Sequence, residues 1–260
     1  MHTKISTTYT KKDTVEFIID DDDGFKWLSS FKSDSYDRFF VVIDKRVNDL
    51  WGKTLLKQLR LHKKQIFVFE VIEGEKGKSL DSYTALVEFL KKEGCGLSDL
   101  VVAIGGGVVI DLASFTCSTY MRQLPFCAVP TTLIGQVDAS TAGKTCLNSG
   151  KTKNLLGTFY YPLWVYNNII ILSRNEPFYE RQGNSEIFKY GLLGSKKLLS
   201  MIEKNAIKPR DSLLVEIIKE TIRVRIKIRK KNPLASNLDG AFLIMSISTK
   251  TPRGAVATIE

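Results

Sequence analysis

Residues 101–115 read VVAIGGGVVIDLASF, and how this run is read decides the fold. Val101 to Ile104 are continuously apolar, as in a strand buried on both faces, and three glycines, Gly105, Gly106 and Gly107, follow at once. A helical pattern starts near Val108. Glycines at a strand-to-helix turn let the backbone approach a ligand closely, and a helix start offers unpaired N–H groups and a positive dipole end to a pyrophosphate. The run is not G-x-G-x-x-G, and a tight turn accounts for the glycines equally well. Asp111, one helical turn on, either bonds a ribose or faces solvent.

Working outward, TVEFIID, FFVVID, QIFVFEVI and PFCAVPT are further strand-like runs. Between them, SLDSYTALVEFLKKEG has apolar spacing near 3.6, with Ser79 as N-cap and Gly94 as terminator. Apolar strands alternating with helices predict a mainly parallel sheet covered on both faces, hence a Rossmann-like α/β N-terminal domain. From about Asn175 the pattern turns helical, in EIFKYGLLGSKKLLSMIEKN and DSLLVEIIKETIRVRIKIRKK. The expected organisation is an α/β domain over residues 1–172 and an incomplete α-helical domain over 173–260.

A chain of 260 residues with 43% hydrophobic content can bury one large core or two modest ones. It shows no apolar run of membrane-span length and no secretory block at its start, so a cytoplasmic protein without a membrane partner is expected. Cys95, Cys117, Cys127 and Cys146 are widely spaced and read as reduced core residues. The net charge of +10 suits an anionic partner. Much of the excess lies in IRVRIKIRKKN, residues 222–232, which lacks interleaved aromatics and reads as a solvated helix or phosphate-facing surface rather than a nucleic-acid arm.

Two more stretches carry chemistry. VPTTLIGQVDASTAGKTCLNSGKTKNLLGTFYYP gathers Thr131, Thr132, Asp138, Lys144, Asn148, Lys153 and Asn154 in a loop-rich segment straight after a strand, the usual place for a ligand in an open α/β sheet. Its AGKT resembles the end of a P-loop, but Asp138 stands where the first glycine must be. Several lysines among asparagines suit a polyhydroxylated anion carrying phosphate and carboxylate. In SEIFKYG, Glu186 and Lys189 share one helix face, either as a partly exposed ion pair or as a metal ligand beside an anion ligand.

Taken together, EGEKGKS, GGGVVIDLASF, TYMRQLPF, VPTTLIGQVDASTAGKTCLN, KNLLGTFYYP and SEIFKYGLL resemble the 3-dehydroquinate synthase family of sugar-phosphate cyclases, from about Asp44 to Leu238. The resemblance implies that Asp44, Glu75, Lys78, Gly106, Gly107, Asp111, Thr131 and Thr132 hold NAD, with Lys153 near cofactor or substrate. It implies that Asp138, Lys144, Asn154 and Lys189 bind a phosphorylated sugar-acid substrate, and that Arg122 reaches across a homodimer to the neighbouring subunit's substrate phosphate. Glu186 is implied as the first of three ligands to zinc or cobalt. The implied reaction turns 3-deoxy-D-arabino-heptulosonate 7-phosphate into 3-dehydroquinate and phosphate, through transient oxidation by NAD at a metal-polarised alcohol, phosphate elimination and aldol closure.

The match also breaks in places. The family's other two metal ligands are histidines downstream of the counterpart of NPLASNL, whereas this chain has only His2 and His62, far upstream. Asp239 replaces a family arginine, Arg174 or a neighbour replaces a threonine, and the family lysine of the basic helix falls at Arg225 or Lys227. Ala142 and Ile110 stand where glycine is usual. GAFLIMSISTKTPRGAVATIE resembles nothing expected at that point, so a frameshift or truncation near Gly240 is the expectation. The alternatives are another cyclase acting on a related heptulose phosphate, a glycerol-type dehydrogenase of the same fold, and an NAD-binding remnant without chemistry.

Overall fold

The computed structural model describes residues 14–141, 143–204 and 212–231. Its strands are β1 (Glu16–Asp20), β2 (Arg38–Asp44), β3 (Gln65–Val71), β4 (Leu100–Gly105), β5 (Phe126–Pro130), β6 (Lys144–Ser149), β7 (Thr152–Phe159) and β8 (Trp164–Asn168). Its helices are α1 (Lys45–Val47), α2 (Lys53–Arg60), α3 (Leu80–Lys92), α4 (Gly107–Thr119), α5 (Leu133–Val137), α6 (Pro177–Gly194), α7 (Lys196–Lys204) and α8 (Ser212–Lys231).

Six strands form one parallel sheet in the order β1-β8-β5-β4-β2-β3. Successive side chains of β2 go to opposite faces, and both faces are dry. Phe39, Val41 and Ile43 join one apolar cluster with Ile104, Val129 and Tyr166, while Phe40 and Val42 join another with Ala103, Leu112 and Phe126. Burial on both faces is why these strands are continuous apolar runs rather than alternating ones. From β2 the chain steps outward to β3, then returns to β4 and steps the other way to β5. Strand order therefore reverses between β2 and β4, and the crevice outside the carboxyl ends of these strands is where an open α/β sheet binds its ligand.

Two expectations need revision, and one strand was not anticipated. The segment after Asp138 is not loop-rich, because β6 and β7 form an antiparallel hairpin there. β8 completes the sheet from a run, WVYNN, whose paired asparagines look like a turn. The helical stretch after Asn175 is broken at Ser195, whose hydroxyl accepts from Leu198 N–H at 3.1 Å and so caps α7. Among the described residues no helix is long and apolar enough to cross a membrane. His2, Ala142, Asp239 and the stretch after Gly240 lie outside the described residues.

The hairpin is built around Gly157. A Cβ there would lie 2.3 Å from the Thr145 carbonyl oxygen on the paired strand, a backbone atom that cannot rotate away. Gly157→Ala is expected to lower the unfolding free energy by about 1–3 kcal/mol, measured by urea denaturation. A loss below about 0.5 kcal/mol would show that β6 and β7 separate freely.

Candidate functional site

The glycine turn closes β4. The Thr131 N–H donates to the Gly105 carbonyl at 2.9 Å, and the Ile110 N–H donates to the Gly106 carbonyl at 3.1 Å as α4 begins. A Cβ at Gly106 would stand 3.1 Å from Thr132 Cγ2, so the turn is already in contact with the next strand's end. Thr132 in turn caps α5, its Oγ1 accepting from Gly135 N–H at 3.1 Å. Asp44 ends β2 and caps α1 by accepting from Val47 N–H at 3.1 Å. Burial lifts the Asp44 carboxyl above its ordinary value, and the Val47 and Arg46 N–H groups oppose that rise. Asp44, the glycine turn and the Thr131–Thr132 pair thus line the carboxyl ends of three adjacent strands.

A second layer lies where α4 meets the hairpin. Lys78, 6% exposed, pairs its ammonium with Asp111 and donates to Asn154 Oδ1 at 2.5 Å. Burial pushes the Asp111 carboxyl up to about 6 although the Lys78 charge pulls it down. Asn148 donates to Glu75 Oε1 at 2.8 Å and accepts from the Asn154 N–H at 2.9 Å. Lys153 is exposed and lies 3.7 Å from Glu75. A cleft of about 410 Å³, lined by Glu75, Lys76, Lys78, Asn148, Lys151 and Lys153 among others, opens on this layer.

The third group is a buried charge cluster. Asp138 follows α5 and accepts from the Tyr190 hydroxyl at 2.8 Å and from the Arg225 guanidinium. Burial would raise the Asp138 carboxyl, but Arg225, Lys189 and Lys144 hold it below its ordinary value. Lys189 pairs with Glu186, and both side chains are almost fully buried. Burial, and then the Asp138 charge, raise the Glu186 carboxyl against the pull of Lys189. The ammonium of Lys189 and the guanidinium of Arg225 lie 4.7 and 5.2 Å from the Tyr190 ring centre.

Most of the residues singled out in the sequence therefore fall into these three groups. Arg122 does not: it is exposed at the end of the Tyr120–Arg122 turn, in a run of left-handed residues with Met121 at φ 47°, Arg122 at φ 65° and Gln123 at φ 109°. Glu186 and Lys189 make the ion pair of the plainer reading, yet it is buried rather than partly exposed. The basic run is not wholly solvated, since Arg225 is 7% exposed against Asp138 whereas Lys227 faces solvent. The signal for Arg225 was available in its spacing from the buried Ile218, Thr221 and Ile222, which sets a charged residue on the apolar face of α8. Tyr190 carried no polar signal of its own.

His62 is committed elsewhere. Its Nε2–H donates to the Leu28 carbonyl at 2.8 Å, which leaves Nδ1 to accept from the Ser33 hydroxyl at 2.8 Å. Among the described residues no three of His, Cys, Asp and Glu lie together as a metal group.

Residues 68–178 match the family described as 3-dehydroquinate synthase N-terminal. A protein named 3-dehydroquinate synthase from Enterococcus faecalis is 38% identical over 213 residues, 80% of this chain and 58% of the relative. The chain belongs to the 3-dehydroquinate synthase family. It spans 58% of the length of that curated relative. Among solved structures, 2-epi-5-epi-valiolone synthase from Streptomyces hygroscopicus subsp. jinggangensis, with NAD+ and Zn2+ bound, aligns with a TM-score of 0.80 at 23% identity, covering 88% of this chain and 64% of that one. A 2-deoxy-scyllo-inosose synthase complexed with carbaglucose-6-phosphate, NAD+ and Co2+ aligns with a TM-score of 0.73 at 23% identity, over 82% and 59%. At that identity the two structures share the family member's fold.

Proposed function

We propose that this 3-dehydroquinate synthase family member binds NAD at the crevice between β2 and β4 and belongs to the conversion of 3-deoxy-D-arabino-heptulosonate 7-phosphate to 3-dehydroquinate and phosphate. The observation that carries this reading is the convergence of Asp44, the Gly105–Gly107 turn and Thr131–Thr132 at the strand-order reversal. A Cβ on Gly107 would meet Ala139 Cβ at 3.6 Å, an ordinary van der Waals contact. In this reading residues up to about 172 form the cofactor-binding part, and the helices beyond it form the far wall of the substrate site.

Bound NAD supplies a hydride acceptor that is restored within one turnover. The chain's own groups supply binding and charge. Asp44 accepts from ribose hydroxyls, and the N-terminus of α4 faces the pyrophosphate. Lys144 and Asn154 hold the substrate's hydroxyls and carboxylate, and Lys189 and Arg225 add positive charge beside Asp138, where oxyanions form along the path. Arg122, projecting from its left-handed turn, binds the substrate phosphate of a second copy in a homodimer. The described residues offer Glu186 as one metal donor, already paired with Lys189, and one carboxylate does not make a zinc site.

The lysines of GKTCLNSGKTKN favour a cyclase over a dehydrogenase of the same fold, because an anionic heptulosonate phosphate needs them and a glycerol does not. A calorimetric NAD titration, then phosphate release with the heptulosonate phosphate and zinc or cobalt, tests the proposal. NAD binding is expected at micromolar or weaker affinity, with phosphate released and no net NADH. Absence of NAD binding, or stoichiometric NADH build-up, would overturn it.

A further inference from the structure

We propose that Asn148 is a positioning residue that holds the cofactor-side group Glu75 and the substrate-side group Asn154 in one frame; this rests on the NAD-binding reading above. The backbone N–H and both side-chain polar atoms of Asn148 are engaged, two of them with the segment around Glu75 and Lys78 and one with the facing strand of its own hairpin. Its backbone N–H donates to the Lys78 carbonyl at 3.0 Å, its Nδ2 donates to Glu75 at 2.8 Å and its Oδ1 accepts from Asn154 N–H at 2.9 Å. The frame closes on itself, because Lys78 reaches Asn154 Oδ1 with its ammonium while its carbonyl holds Asn148.

The backbone shows why Asn148 can do this. The β6–β7 register shifts between Leu147 and Ser149, so Asn148 stands at a bulge and its N–H is free of the hairpin ladder. A bulge of this kind re-aims one residue without ending the strand. Opposite it, Asn154 is held at φ 56°, a left-handed conformation that asparagine tolerates better than most residues. The Asn148 side chain accepts from the N–H of that same residue, and so fixes the conformation that turns Asn154 Oδ1 toward Lys78. Neither Asn148 contact reaches a reacting atom, so its effect passes through Glu75, Lys78 and Asn154.

The test combines three readouts on the full chain and its variants: the NAD dissociation constant, amide hydrogen exchange at Asn154, and acetylation of the Lys78 amine followed by mass spectrometry. Asn148→Ala is expected to raise the NAD dissociation constant about tenfold, to release the Asn154 amide and to make Lys78 reactive, while amides of β4 and β5 keep their protection. Asn148→Asp keeps the acceptor for Asn154 but cannot donate to Glu75 and sets a like charge beside it. Its Asn154 amide should stay protected while NAD binding weakens. Glu75→Gln restores a donor to that pair, so it should cost less NAD affinity in the Asn148→Asp background than in the unsubstituted chain.

Overturning results are specific. Unchanged Asn154 exchange and Lys78 reactivity in Asn148→Ala would remove the frame. A freed amide with an NAD constant within twofold of the unsubstituted chain would reduce Asn148 to a hairpin brace. If the unsubstituted chain binds no NAD, the cofactor reading fails and the positioning role fails with it. If it binds NAD and Asn148→Ala binds equally well, the positioning role alone fails.

Discussion

Replacing Asp138 by alanine is expected to lower the unfolding free energy by about 3 kcal/mol at pH 7, the lower end of the range for breaking a buried ion pair. The lower end applies because the Asp138 side chain keeps 30% of its exposure, whereas its partner Arg225 keeps 8% and the nearby Lys189 keeps 7%. Alanine would leave Arg225 without its carboxylate and the Tyr190 hydroxyl without its acceptor. Asp138→Asn keeps an acceptor for Tyr190 and should cost less. Because the Asp138 carboxyl is held below its ordinary value, the stability it adds is present above the ordinary carboxylate range. That stability is lost as pH falls through the lowered value. Urea denaturation between pH 3 and pH 7 measures this. A loss in Asp138→Ala that stays the same at both ends would mean that packing, rather than charge, is what the residue supplies.

The charge cluster also shows where sequence reading stops. The buried strands were legible because a sheet dry on both faces demands unbroken apolar runs, and Phe39 to Ile43 or Val101 to Ile104 can be little else. The glycine turn and Thr131–Thr132 were legible because strand-end chemistry follows the strands. β8 was not, since Asn167 and Asn168 resemble a turn; only the structure shows Asn168 buried and donating to the Asp22 carbonyl at 2.8 Å. The hairpin was hidden by Asn154 and Gly157 inside β7, one left-handed and the other needed for close backbone approach. The ion pairs were hidden by distance along the chain: Lys78 meets Asp111 33 residues on, and Asp138 meets Arg225 87 residues on. Local pattern carries no information about such partners. Arg225 could be narrowed to two positions by resemblance, and only its burial on Asp138 separates it from Lys227.

Lys78→Met is expected to be most damaging in alkaline solution and much less so in acid, with a loss of about 3–5 kcal/mol at pH 8. The side chains of Lys78 and Asp111 retain 8% and 14% of their exposure, so methionine would leave a carboxylate buried without its cation. In the unsubstituted chain burial already pushes Asp111 up to about 6 from 3.8 despite the ammonium beside it. A carboxyl raised in this way favours the fold when protonated: its contribution is complete below the unfolded value and is lost as pH rises through about 6. Removing Lys78 takes away the charge that limits this loss, so the variant should weaken further across the same interval. At pH 5 Asp111 carries a proton, and the remaining penalty should approach about 1 kcal/mol, that of the missing hydrogen bond to Asn154. Urea midpoints at pH 5 and pH 8 test this directly. Equal losses at the two pH values would show that Lys78 is held for its packing, and that the carboxyl of Asp111 does not depend on it for its charge.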